Sequence, residues 1–157
     1  MASRKGKAPH RAKTTPGWMD AFDIQYFQRT KANDPAEAVP GFEFLESCPT
    51  AIRAKFQVRL IAVAEAPPHR FAGGGYWEAM HGNMAGIYEL RVDGPPSRTH
   101  YRLFCVLDRE NVGQPQPVLA ILTGMSKPFR TEFSDRQYAK VRALRDEYFA
   151  DNPRSFC

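Results

Sequence analysis

The sequence predicts an α+β domain: a small, mainly antiparallel sheet with two N-terminal helices packed on one face and a C-terminal helix. Three observations carry that expectation. Residues 88–93 and 100–107 alternate apolar and polar side chains with a period of two, as half-buried strands do. Between them stands Gly94-Pro95-Pro96-Ser97, a turn composition that makes the pair a hairpin. Helical spacing then appears on both sides of the hairpin. Ile52, Phe56, Leu60 and Val63 form one stripe; Tyr138, Val141, Leu144 or Arg145, and Tyr148 form the other.

Taken in order, residues 1–17 show no periodicity and contain Pro9, Pro16 and Gly17, so they read as a disordered basic tail. The domain proper is expected over 18–150, with 151–157 as a flexible C-terminal tail. Residues 22–27 alternate well enough for a first strand. Asp34-Pro35-Ala36-Glu37 has the form of a helix start, with an Asp cap, Pro in the first position and Glu three residues after the cap. Pro40-Gly41 should break or kink that helix, and residues 42–45 resume it for a turn or two. A second helix begins at Pro49-Thr50 and ends before Pro67-Pro68, with Arg53, Lys55 and Arg59 on its solvated side.

Gly73-Gly74-Gly75 is a flexible connection. It lacks the preceding strand and the Lys-Ser/Thr ending of a phosphate loop, which excludes nucleotide binding there. Tyr76 and Trp77 read as core or edge-packing residues. After the hairpin, residues 117–122 are apolar enough for a strand buried on both faces. The segment 124–131 leaves that strand, and Ser134-Asp135-Arg136-Gln137 matches a capping box that opens the last helix. The expected order is strand, helix, helix, three strands, helix, with the helices on one face of the sheet.

Composition narrows the classes. At 157 residues, with 43% hydrophobic and 25% charged residues, the chain fits one soluble globular domain. No apolar run approaches the ~20 residues of a membrane helix, and the basic N-terminus has no apolar segment after it. A cytoplasmic protein with no membrane partner is expected. Cys48, Cys105 and Cys157 are odd in number and form no CxxC, so they read as two packed thiols and one tail thiol. His10, His69, His81 and His100 are scattered, with no paired Cys or carboxylates, so no metal and no cofactor is expected. The net charge of +5 is local: residues 1–13 hold five basic residues and no acid, leaving equal numbers of each sign in the rest. Any nucleic acid must therefore be held by a patch, not by the overall field.

Such a patch has candidates. Alternation puts Arg91 and Arg102 on the sheet face opposite Tyr88, Leu90, Tyr101 and Leu103, and two guanidiniums on one face suit a phosphate. Lys127, Phe129 and Arg130 leave the last strand and line the same concavity. Phe129 or Phe133 stacks on a base or else anchors the last helix. His100 has a side chain suited to proton transfer, but its place at the hairpin end directs it to the loop or the other side.

Two segments together carry a family resemblance: Gly86-Ile87-Tyr88-Glu89-Leu90-Arg91-Val92 and then Tyr101-Arg102-Leu103-Phe104-Cys105-Val106-Leu107. A strand of the form GlYElRv followed by one of the form YRlfyvl resembles the RelE/HigB/ParE superfamily of bacterial type II toxin–antitoxin toxins. The likeness extends from about residue 22 to 148. It implies a RelE-like fold and a metal-independent, ribosome-dependent mRNA endoribonuclease that inhibits translation. By the same resemblance, Arg91, Arg102 and Lys127 hold and activate the scissile phosphate, while Arg130, Phe129, His100 and Tyr88 contact RNA. The implied partners are the ribosome, mRNA and a separately encoded antitoxin of the helix-turn-helix kind.

The reaction needs a base to take the proton of a ribose 2′-hydroxyl, and Arg stays protonated, so Lys127, Tyr88, His100 and Glu89 are the candidates. A nearly identical fold would serve a ParE-like DNA gyrase inhibitor, or a binding module without activity.

Overall fold

The computed structural model describes residues 21–65, 75–95, 98–110 and 113–157. The expected N-terminal tail, Gly73-Gly74 and Pro96-Ser97 lie outside the described residues. In chain order the elements are β1 (Asp23–Tyr26), α1 (Pro40–Ser47), α2 (Thr50–Glu65), β2 (Trp77–Ala79), β3 (Ile87–Gly94), β4 (Thr99–Asp108), β5 (Val118–Pro128) and α3 (Asp135–Ala150). The strands form one sheet in the order β1-β5-β4-β3-β2, with β1 parallel to β5 and every other pair antiparallel. An α+β architecture with a mostly antiparallel sheet is thus what the chain adopts. The sheet holds one strand more than expected, because Trp77–Ala79 pairs with residues 88–90 of β3. Three residues are too few to display alternation.

Both faces of the sheet are buried. Tyr88, Leu90 and Val92 of β3 and Tyr101, Leu103 and Cys105 of β4 pack against α1 and α2 through Leu45, Ile52, Phe56, Leu60 and Val63. Ile87, Phe104 and Val106, with Val118, Ala120 and Leu122 of β5, face the other way, beneath Phe133, Val141 and Tyr148. The C-terminal helix therefore covers the face opposite the N-terminal pair, which corrects the expectation of helices on one face only. The reason lies in the strands. Residues 101–106 and 118–122 are buried without a break, and a strand apolar on successive positions needs cover on both sides. Each fully buried Leu, Ile or Phe contributes about 1.5–3 kcal/mol to holding these layers together.

The first helix starts later than expected. The Asp34 carboxylate does accept two backbone N–H groups, from Ala36 at 3.1 Å and Ala38 at 2.9 Å, but it closes a turn and not a helix. Glu37 adopts a left-handed backbone (φ 51°), which ends that turn. Pro40 then takes the first helical position, where its missing N–H and fixed φ suit the geometry. Pro40-Gly41 opens the helix instead of breaking it. Gly41 is required for a second reason: a Cβ there would lie 2.5 Å from Ile121 Cγ2. A Cβ on Gly124 would overlap the Phe44 ring. These two glycines let α1 lie close on β5.

At the other end, α3 opens as the capping box predicts. Ser134 Oγ accepts from the Gln137 N–H at 3.1 Å, and Gln137 Oε1 accepts from the Ser134 N–H at 2.8 Å. Residues 151–157, expected to be a flexible tail, are instead tied to the domain. Phe156 bridges Phe27, the Gln28 N–H donates to Ser155 O, and the Cys157 N–H donates to Tyr26 O. Arg154 also reaches Asp108 (Nε to Oδ2 2.9 Å), which accepts from the Tyr148 hydroxyl at 2.7 Å. Burial alone would raise the Asp108 carboxyl, but the hydrogen bonds from Arg154 and Tyr148 outweigh it and hold it below the usual range. No helix among the described residues is long and apolar enough to cross a membrane. Cys48 and Cys105 are buried and Cys157 is exposed, all three as free thiols.

Two stability outcomes follow from these contacts. Gly124→Ala should lower stability by about 1–3 kcal/mol through overpacking against Phe44, read as a shifted urea midpoint. Asp108→Ala should cost about 3 kcal/mol at pH 7 by leaving Arg154 and Tyr148 without their acceptor. Because folding depresses the Asp108 pKa, the wild-type advantage is present above about pH 4 and shrinks as the pH falls below it. Denaturation at pH 7 and pH 3 checks the sign.

Candidate functional site

Strand register gathers the basic side chains. In the β3–β4 ladder Arg91 stands opposite Arg102, and Asp93 opposite His100. In the β4–β5 ladder His100 stands opposite Lys127, and Arg102 opposite Met125. The second ladder contains a register shift: Phe104 pairs with Thr123 but Cys105 pairs with Ile121, so Leu122 is an additional residue on β5. Before it, Ala120 and Leu122 face α3; after it, Met125 does. The bulge thus changes the phase of β5 and brings Lys127 to the α3 face, where its Nζ lies 4.7 Å from the centre of the Phe133 ring.

The start of α3 marks where apolar cover on that face ends. Phe133 and Tyr138 pack edge-on against Phe104. Beyond them the face becomes ionic. Glu89, Arg91 and Asp93 of β3 share it with His100 and Arg102 of β4, and they are joined by contacts. Arg91 Nε lies 2.8 Å from Glu89 Oε1, and Arg102 Nε lies 3.9 Å from Glu89 Oε2. Arg102 Nη1 lies 2.8 Å from Asp93 Oδ1, and His100 Nδ1 lies 2.7 Å from the same oxygen. Arg102 Nη1 also donates to Tyr101 O at 3.0 Å.

Burial of these groups is graded. The Glu89 side chain is 7% exposed and that of Arg102 10%, whereas Arg91 is 37% exposed. Glu89 is therefore the buried counter-ion of two guanidiniums, of which Arg91 is the more exposed. Among the described residues, the Arg91 Nη groups and the Lys127 ammonium have no carboxylate partner. Burial alone would raise Asp93, but hydrogen bonds from Arg102 and His100 outweigh it and hold that carboxyl below its ordinary range. Tyr138 is pushed up, first by burial and then by Glu89, so its phenol stays a proton donor. At the rim, the His100 ring packs 4.5 Å from Phe129, and the Arg98 guanidinium lies 5.4 Å from the same ring.

Of the residues named from sequence, Arg91, Arg102, Lys127 and His100 meet on one face, with Phe129 at its edge. His100 shares the Arg102 face because the two are separated by two positions on β4, which corrects the expectation that it turns away. Phe129 is half-buried and its ring supports His100 and Arg98. Arg130 is exposed in the turn after β5 with a left-handed backbone (φ 67°), and no contact joins it to the ionic cluster. Tyr88 belongs to the other face. It stacks on Trp77 with ring centres 4.9 Å apart and planes 10° from parallel, on the side packed by α1 and α2.

Asp93 and Tyr138 were missed from sequence. Asp93 shares the spacing of Glu89 and Arg91, and its opposition to a basic strand was the available signal. Tyr138 arrives from α3 and had none. No group of three or more His, Cys, Asp and Glu among the described residues is arranged to hold a metal. No family model, curated protein or solved structure matches the chain.

The pairing has a direct consequence. Glu89→Gln removes the charge that offsets two arginines facing each other across strands, and stability should fall by about 1–3 kcal/mol. Added sulfate should recover more of the melting temperature in this variant than in wild type. Equal recovery in both would show that Glu89 does not neutralise the pair.

Proposed function

We propose that the protein is an mRNA endoribonuclease toxin of the RelE/HigB/ParE kind, cytoplasmic and dependent on the ribosome, restrained by a separately encoded antitoxin. One observation carries the reading: register places Arg91 beside Arg102 and His100 beside Lys127 on one sheet face, past the start of α3. The motif resemblance supplies the substrate class. Cleavage by an internal 2′-hydroxyl requires concentrated positive charge at one phosphodiester and a group to move a proton, and the face offers both. In this reading the Arg91 guanidinium, the more exposed of the two, and the Lys127 ammonium hold non-bridging phosphate oxygens. Arg102, held from two sides by carboxylates, fixes the local field and the Asp93 position. Positioned Arg and Lys side chains stabilise the charge that develops on the phosphorane oxygens.

One feature favours a second reading, a binding module without catalysis. Glu89 and Asp93 already neutralise much of the charge on the two arginines. A single assay separates the readings. Purified protein is added to translating ribosomes, and mRNA ends are mapped for wild type, Lys127→Ala and Arg91→Ala, with circular dichroism checking that Arg91→Ala, which leaves the buried Glu89 one contact fewer, is folded. Cleavage by wild type, reduced about 10²-fold or more in each variant, is the expected result. Intact mRNA with accumulation of gyrase-linked DNA breaks would establish the ParE-like activity in its place. Intact mRNA with neither effect would leave the binding module.

A further inference from the structure

We propose that Asp93 and His100 form a proton-transfer dyad, in which Asp93 is the positioning residue and Nε2 of His100 takes the 2′-hydroxyl proton. The inference rests on the ribonuclease reading above and identifies the base that the reading lacks. Geometry carries it. His100 Nδ1 lies 2.7 Å from Asp93 Oδ1, so a neutral imidazole donates its Nδ1 proton to the carboxylate and leaves Nε2 as the free acceptor. The ring is held from a second direction by Phe129, 4.5 Å between centres and tilted by 30°. Asp93 Oδ1 also accepts from Arg102 Nη1 at 2.8 Å. One oxygen thereby ties the imidazole to the arginine beside it.

The other candidates for the base fail on position. Tyr88 is stacked on Trp77 on the far face. Glu89 is buried, with one carboxylate oxygen facing Arg91 and the other facing Arg102. Lys127 is cationic and must first lose a proton to act as a base.

The step balances as follows. The 2′-hydroxyl proton passes to His100 Nε2 as the O2′–P bond forms. The P–O5′ bond breaks, leaving a 2′,3′-cyclic phosphate, and the departing 5′ oxygen takes a proton from the Lys127 ammonium. Water then returns a proton to Lys127, and His100 releases its own to solvent. The charged groups that face His100 are Asp93 from β3, Arg102 along β4, Lys127 from β5 and Arg98 at the hairpin mouth.

Single-turnover cleavage of ribosome-bound mRNA across pH 5.5–8.5, with circular dichroism as a check on folding, tests this. The wild-type rate should fall on the acid side. His100→Gln should be at least ~10²-fold slower and should lose that acid limb. Asp93→Asn should be ~10-fold slower, since the amide no longer fixes the Nδ1–H tautomer of His100, and Asp93→Glu should restore the rate. Folded His100→Gln that cleaves within threefold of wild type with an unchanged profile overturns the dyad and leaves the ribonuclease reading intact. Should His100→Gln not fold, a folded Asp93→Asn that cleaves at the wild-type rate overturns it instead. Absence of cleavage by wild type overturns both.

Discussion

Two arginines directly opposite each other across an antiparallel ladder repel, and the structure depends on how that repulsion is contained. Like charges at facing positions ordinarily weaken a hairpin. Here Glu89 and Asp93 flank Arg91 on the same strand face, so each guanidinium has a carboxylate within contact range. The result is a strip of alternating charge, partly buried, in which acids and bases have to be present together. Removing Glu89 leaves the buried Arg102, and removing Arg91 or Arg102 leaves the buried Glu89, with one contact fewer, a loss more costly than the intact pair is favourable. A hairpin built only for packing has no need of such an arrangement, which is the physical reason to look for a ligand there.

The rest of the fold decides what shares that strip. The bulge in β5 moves Lys127 onto the α3 face, and α3 itself begins far enough along to cover Phe104 while leaving Arg91 partly open. At its far end α3 is secured by Tyr148 and Arg154 on Asp108, which also draws in the C-terminal residues. One face of the sheet is thus divided into an apolar half packed under α3 and an ionic half beyond it. The opposite face, filled by α1 and α2, holds the strands in register through residues such as Leu90 and Leu103. From that side Arg59 donates to the Arg91 carbonyl and lies over the Tyr76 ring, which fixes the same stretch of β3.

Much of this was legible in the amino-acid order, for physical reasons that differ by element. Period-2 alternation was enough to place Arg91 and Arg102 on one face, since a strand allows no other arrangement. The capping box at Ser134 was equally readable, because both of its hydrogen bonds lie within four residues. Asp34 misled because an Asx turn and a helix cap use the same carboxylate and the same N–H groups, and only Pro40 could take the first helical position. The side of the sheet covered by α3, the bulge at Leu122 and the docking of residues 151–157 depend on distant partners. Lys127, His100 and Asp93 come together only through those long-range pairings.

The most direct test is the structure of the protein on a programmed ribosome whose mRNA carries 2′-O-methyl groups at the reactive nucleotide. The scissile phosphate should lie against Arg91 and Lys127, with the 2′ oxygen facing the His100 imidazole. A complex formed through the α2 surface at Lys55 and Val58, with the β3–β4 strip facing solvent, would contradict the assignment of that strip to RNA.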